Sequence, residues 1–209
     1  MKNRLVLLLA LIPCIAAGQK PASATAQRAI TFLDRQLQRD IGSPTPSPDG
    51  KWLLYTLSTP DWNQARRQTD IYLVSVKEGL PSTRQMTFTK DKNETSPRWS
   101  RDGKFFVFLS NRDAPSAPPA GGSGSAGTTA GSSQNQIYIM RPDGGEARKI
   151  TDAKEGVSTL AFSKDGKWLV YRSGKADEEQ LFALPVVGID SAKPVQLTHQ
   201  QTGDRKSVV

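Results

Sequence analysis

Three stretches of the chain repeat one order of polar and apolar positions. Ser47-Pro48-Asp49-Gly50-Lys51-Trp52-Leu53-Leu54-Tyr55 is the first, and Ser100-Arg101-Asp102-Gly103-Lys104-Phe105-Phe106-Val107-Phe108 the second. Ser163-Lys164-Asp165-Gly166-Lys167-Trp168-Leu169-Val170-Tyr171 is the third. In each, a polar Ser-x-Asp-Gly-Lys segment precedes a continuous apolar run. Ser-x-Asp-Gly is turn chemistry: serine opens a type I turn, Pro48 suits its second position, and glycine takes the positive φ that follows. An uninterrupted apolar run of this length predicts a strand covered on both faces. A second pattern follows each turn: Asp70-Ile71-Tyr72-Leu73-Val74, Gln136-Ile137-Tyr138-Ile139-Met140 and Gln180-Leu181-Phe182-Ala183-Leu184. Each copy then closes alike, in Arg84-Gln85-Met86-Thr87, Arg148-Lys149-Ile150-Thr151 and Val195-Gln196-Leu197-Thr198. Upstream of the turn Arg98-Trp99 matches Ala161-Phe162, and the first copy has Thr45-Pro46 there.

The unit therefore holds a short strand entering the turn, a longer one leaving it, a third with the Ile-Tyr-Leu pattern and a fourth ending in the closing Thr. Four strands per repeat predict the blade of an all-β protein, a β-propeller. Ser47 to Ser100 is 53 residues and Ser100 to Ser163 is 63, the second interval carrying an insertion; propeller repeats run roughly 40 to 50. A β-sandwich would also show many short strands, but would not repeat its sequence. The blades are expected over 41–90, 95–153 and 157–200, inside a partial propeller spanning 41–203. Three are too few to close a ring, which takes roughly four to eight. Ahead of them, 19–40 is a lead-in. There Thr31-Phe32-Leu33-Asp34 resembles a capping box and predicts a short helix to about Arg39. Pro44, Pro46 and Pro48 end any helix and lead into the first blade. Ala114 to Asn135 is rich in Pro, Gly, Ser, Ala and Thr, and reads as a mobile loop between the second and third strands of the middle blade.

Composition changes the picture at the ends. Lys2 and Arg4, the apolar run Leu5 to Ile15, and Ala16-Ala17-Gly18 follow the order of a secretory signal peptide over 1–18. Cleavage is placed near Gly18 or Ala17, with Ala24-Thr25-Ala26 as a second site. The run's eleven residues fall short of the roughly 20 a membrane span needs. The mature protein is thus expected in the periplasm or outside the cell, with no stable span. Cys14 is the only cysteine. It lies in this leader behind Ile12 and Pro13, not behind the small residues of a lipidation signal, so the mature chain carries no thiol, which suits an oxidising compartment. The formal charge of +8 falls to +6 without Lys2 and Arg4. The remaining bases are scattered, without the patch or stripe that nucleic acid demands, so no nucleic-acid partner is expected. Asp204 to Val209 continues no blade pattern and matches one reading frame of a common sequencing adapter. It is read as an artefactual tail, with the protein continuing beyond it.

Chemistry is sparse. His199 is the only histidine; it follows a strand-ending Thr and reads as an exposed loop residue. The nucleophile elbow Gly-x-Ser-x-Gly is absent. Gly122 to Gly127 looks similar, yet no serine there has glycine two places away on both sides. Neither a cysteine–histidine cluster nor an Asp-x-Asp-Gly calcium loop occurs. Asp177-Glu178-Glu179 reads as a solvated connection in the third blade. Trp62, Arg66 and Arg67, in the first blade's long connection, are candidates for contact with a partner. No catalytic, cofactor-binding or metal residue is assigned, and no cofactor is expected.

The repeated Ser-x-Asp-Gly-Lys-(Trp/Phe) turns resemble the TolB-type propeller repeat, a motif of architecture more than of function. The first blade is more specific. A short helix, Ser47 to Trp52, Tyr55-Thr56, Thr59-Pro60-Asp61-Trp62, Arg66-Arg67 and Asp70 to Val74 resemble the start of exported bacterial peptidases of the prolyl oligopeptidase family. The likeness runs from about Thr31 to Thr198. It implies a propeller that precedes an α/β-hydrolase domain with a Ser-Asp-His triad and restricts entry to small or unfolded peptides. The implied partners are that downstream hydrolase domain, absent from this sequence, and peptide substrates. No triad position falls within the 209 residues. Asp177-Glu178-Glu179 is similar to the acidic pair that holds a substrate amine in dipeptidyl peptidases of the family, but it lacks the matching context, and the role is not carried over. The competing reading is a TolB-like periplasmic propeller that binds protein. Such proteins resemble an α/β domain followed by a propeller, and only about 22 residues separate Gln19 from the first blade. A propeller enzyme with its site in the central channel would need metal or base residues that the sequence lacks.

Overall fold

The computed structural model describes residues 28–112, 135–175 and 177–199. The expected signal peptide, the insertion up to Gln134 and the 204–209 tail lie outside the described residues. Twelve strands are described, in three four-stranded antiparallel sheets, with one short helix. Blade 1 holds β1 (Asp40–Pro46), β2 (Trp52–Asp61), β3 (Arg66–Ser75) and β4 (Gly79–Gln85). Blade 2 holds β5 (Glu94–Trp99), β6 (Phe106–Ser110), β7 (Gln136–Arg141) and β8 (Gly144–Lys149). Blade 3 holds β9 (Thr159–Phe162), β10 (Trp168–Ser173), β11 (Gln180–Pro185) and β12 (Val195–Gln196). Within each sheet the strands lie in chain order, and β1, β5 and β9 pack side by side as the innermost strands. This is a propeller arrangement whose three sheets do not close into a ring.

The turn motif is built alike three times. Ser47 Oγ donates to Asp49 Oδ1 at 2.6 Å and accepts from the Trp52 amide at 3.0 Å, while Asp49 Oδ1 accepts from the Lys51 amide at 3.1 Å. Ser100 and Asp102 repeat the set, as do Ser163 and Asp165. These bonds, the serine hydroxyl first, hold all three aspartates below the usual carboxylate range. Gly50, Gly103 and Gly166 sit at φ +70°, +69° and +71°, the left-handed region the motif requires of them.

Each blade's third and fourth strands are latched by the closing threonine. The amides of Ile71, Ile137 and Leu181 donate to the hydroxyls of Thr87, Thr151 and Thr198 at 2.9, 2.8 and 2.9 Å. Strand alternation then divides the core. Phe106, Phe108, Tyr138 and Met140 turn toward blade 1 and meet Leu54, Ile71 and Leu73. Val107, Leu109, Ile137 and Ile139 turn toward blade 3 and meet Leu160, Leu169, Tyr171 and Leu184. β6 is buried along its whole length, as its continuous apolar run predicts. In blade 2 the strand leaving the turn is not the longer one: β6 has five residues and β5 six. β6 begins one residue late, at Phe106.

The lead-in forms α1 (Phe32–Gln36), closed at its start by a full capping box between Thr31 and Asp34. Pro44 and Pro46 lie within β1, whose inner edge needs no amide from them. Ser43 and Ser96, at φ +48° and +53°, mark matching bulges in β1 and β5.

Candidate functional site

Strand order puts the Ser-x-Asp-Gly turns at one rim, and the β2–β3 connection and blade-to-blade linkers at the other. The second rim gathers the unusual chemistry. Midway along β3, Asp70 occupies the place that Gln136 and Gln180 hold at the start of β7 and β11. Those glutamines complete the latch: Gln136 Oε1 accepts from Thr151 Oγ1 at 2.8 Å and from the Ala153 amide at 3.0 Å, and Gln180 Oε1 accepts from Thr198 Oγ1 at 2.9 Å. Asp70 puts a carboxylate there. Its Oδ2 accepts from Gln68 Nε2 at 3.3 Å, while Oδ1 is buried with no hydrogen-bond partner.

The linker from blade 1 to blade 2 brings a second acid to this place. Glu94, the first residue of β5, is fully buried. Its Oε1 accepts from Ser110 Oγ at 3.1 Å and pairs with Arg112 at 3.2 Å, and its Oε2 is buried without a partner. The Arg112 guanidinium lies 4.5 Å over the Tyr138 ring, so it spans an acid and an aromatic face. Burial, and secondarily the Glu94 charge, push the Asp70 carboxyl up to about 6; burial also raises Glu94. Close by, Arg66 pairs with Asp91 at 2.6 Å, and Lys92 is buried in the linker. The arrangement buries two carboxyls at the seam of blades 1 and 2, where the charge of Glu94 helps to keep Asp70 protonated to a higher pH than a free aspartate. Among the described residues no group of three or more His, Cys, Asp or Glu is gathered as metal ligands.

The residues singled out from sequence lie apart from this pair or are already engaged. His199 is exposed beyond β12. Asp177 and Glu178 are exposed, and Glu179 is paired with Arg172. Trp62 is 56% exposed and borders a cavity of about 340 Å³ with Gln36, Pro60 and Arg67. Arg66 and Arg67 are both ion-paired, Arg67 with Asp40 at 2.9 Å. Sequence reasoning passed over Asp70 and Glu94. Asp70 carried a signal, since it breaks the Gln of the repeat; Glu94 carried none.

The chain matches no protein-family model. It is similar to an uncharacterized peptidase, YuxL, of Bacillus subtilis, with 29% identity over 173 residues, covering 82% of this chain and 23% of the relative. It is also similar to dipeptidyl-peptidase 5 of Porphyromonas endodontalis, with 28% identity over 179 residues and the same 82% and 23% coverage. Among solved structures it resembles the Pyrococcus horikoshii acylaminoacyl peptidase, with a TM-score of 0.54 and 13% identity over 79% of this chain and 26% of that one. A putative TolB from Agrobacterium tumefaciens gives a TM-score of 0.53 and 21% identity over 78% of this chain and 50% of that one. The chain thus shares the β-propeller fold of TolB and of peptidase propeller domains, its curated sequence relatives are peptidases, and both findings agree with a propeller of the prolyl oligopeptidase kind. It spans about a quarter of the length of those relatives.

Proposed function

We propose that these blades belong to the propeller of an exported serine peptidase of the prolyl oligopeptidase family, and that they act by screening peptides. The observation that carries this reading is the match to two proteins named as peptidases along 82% of this chain. A triad needs nucleophile, base and orienting acid within hydrogen-bond reach. This sequence supplies no nucleophile elbow and a single histidine, exposed at the end of blade 3. Its part in hydrolysis is therefore steric. Sheets packed face to face through aromatic cores make a stiff wall, and a stiff wall over an active site admits only chains narrow enough to pass. The hydrolase domain is carried elsewhere in the same polypeptide, and the basic–apolar–small leader exports the whole.

The full-length reading frame tests this directly. It should encode Gly-x-Ser-x-Gly, then Asp, then His, in that order. The purified full-length protein should label with a fluorophosphonate probe, and the 209-residue chain should not. A full-length frame without a hydrolase domain would overturn the proposal and favour a TolB-like binding module.

A further inference from the structure

The two seams inside the chain repeat one aromatic pair but surround it differently. At the seam of blades 1 and 2, Phe108 and Tyr138 stack at 5.9 Å. The Arg112 guanidinium lies over both rings, 5.6 Å from the centre of Phe108 and 4.5 Å from that of Tyr138. Glu94 holds it there at 3.2 Å. At the seam of blades 2 and 3, Tyr171 and Phe182 take the places of Phe108 and Tyr138 and stack at 5.4 Å. The charged pair is not repeated with them. Ser158 stands ahead of Thr159 as Glu94 stands ahead of Thr95, so that place holds no carboxylate. Ser173, the counterpart of Ser110, donates instead to the Gly156 carbonyl at 2.6 Å. Lys175, the counterpart of Arg112, is exposed. A cavity of about 380 Å³ lies here, bordered by both rings, by Gln180 and by the linker acids Asp152 and Glu155. Asp152 pairs with Lys149 at 3.5 Å. Glu155 is half-buried, and among the described residues no salt bridge engages it.

We infer that this cavity binds the side chain of an arginine carried by a peptide, with the guanidinium set on the Tyr171–Phe182 pair and matched by Glu155. The chain supplies the precedent, since in blade 2 the same ring pair carries an arginine and a carboxylate. A guanidinium is planar and weakly hydrated, so it stacks on an aromatic face while its edge pairs with a carboxylate; a lysine ammonium is more strongly hydrated and has no such plane. In blade 3 the acid comes from the linker instead of the inner strand. That leaves the ring pair bordering a cavity with the acid beside it, where blade 2 has covered its pair with its own Arg112. The lining comes wholly from blades 2 and 3 and the linker between them, so the site is complete within the described residues. Its use, selection among peptides by their arginines, rests on the screening role proposed above, but the binding itself does not.

Titration of the 209-residue chain with N-acetyl-arginine amide, followed by amide shifts in heteronuclear NMR, tests this without a hydrolase domain. Saturable shifts should centre on Glu155, Gln180 and Phe182. The citrulline analogue keeps the shape and loses the charge, and it should bind at least about tenfold more weakly; the lysine analogue should fall between them. Glu155→Gln and Phe182→Leu should each weaken arginine binding by about tenfold, the first from a solvent-facing position that leaves the fold intact. An unchanged urea midpoint for Glu155→Gln confirms that its loss is local. An absence of saturable shifts at tens of millimolar probe would overturn the inference. So would a citrulline or lysine analogue that binds as tightly as arginine, or arginine binding that survives Glu155→Gln unchanged. The peptidase reading stands or falls separately, on the reading frame and the fluorophosphonate label.

Discussion

Replacing Asp70 with glutamine restores the residue that blades 2 and 3 use, and it should stabilise the protein near neutral pH. Burial beside Glu94 pushes the Asp70 carboxyl from 3.8 to about 6. The folded state therefore binds this proton more tightly than the unfolded chain does. The native advantage is complete below about pH 4, is lost as the pH rises toward about 6, and changes no further above that. At 1.36 kcal/mol per pH unit the displacement is worth roughly 3 kcal/mol, which we take as an upper bound. Glutamine carries no charge to bury, and Gln136 shows that it can accept from the closing threonine and from the linker amide. Asp70→Gln should thus gain about 1–3 kcal/mol at pH 7.5 and almost nothing at pH 4. Its stability should also fall less between those values than the parent's; the raised Glu94 keeps part of the slope. Urea unfolding followed by tryptophan fluorescence at both pH values measures this. A variant less stable than the parent at pH 7.5, or one with the parent's full pH slope, would refute the reasoning.

The partner acid should behave oppositely. Glu94→Gln leaves Arg112 without its carboxylate, and breaking a buried pair costs about 3–5 kcal/mol, so neutral-pH unfolding should shift to markedly lower urea. Gly166→Ala and Gly50→Ala impose the same left-handed strain of about 1–2 kcal/mol. Only at Gly166 does the new Cβ fall 2.7 Å from Arg101 Cβ, while at Gly50 it meets nothing within 4 Å. Gly166→Ala should therefore melt clearly below Gly50→Ala, and equal melting temperatures would count against the turn-to-turn contact. Phe108→Ala removes a fully buried ring and should cost about 3–5 kcal/mol. Tyr55→Ala, whose ring is only partly buried, should cost well under half of that in the 209-residue chain, as read by the same urea titration.

The three-blade arrangement was legible because its signals are local. Ser-x-Asp-Gly closes within one turn, and its serine, aspartate and glycine do in the structure what turn chemistry asks of them. The apolar runs after the turns needed cover on both sides, and β6 has it. The bulges at Ser43 and Ser96 were legible in principle, since Ser43-Pro44 and Ser96-Pro97 repeat at the same distance from the turn. The eye follows the apolar run, and the signal lay in the polar strand before it.

The acid pair shows where such reading stops. Asp70 breaks a repeat and can be noticed, but a lone Asp among repeats of Gln says only that one latch differs. Its meaning comes from Glu94, twenty-four residues on and outside every aligned segment. Glu94 arrives because the linker from Thr87 to Asn93 carries the chain from the outer edge of one blade to the inner strand of the next. The burial of both acids is then decided by strands of two sheets, among them β6, whose Ser110 and neighbouring Arg112 hold the other oxygen of Glu94. No periodicity encodes that meeting. A repeat specifies each blade to itself, and the chemistry at a seam belongs to two blades at once. Here Asp70 and Glu94 each keep a buried oxygen without a hydrogen-bond partner, a cost to stability that arises at the seam and that neither blade's own repeat specifies.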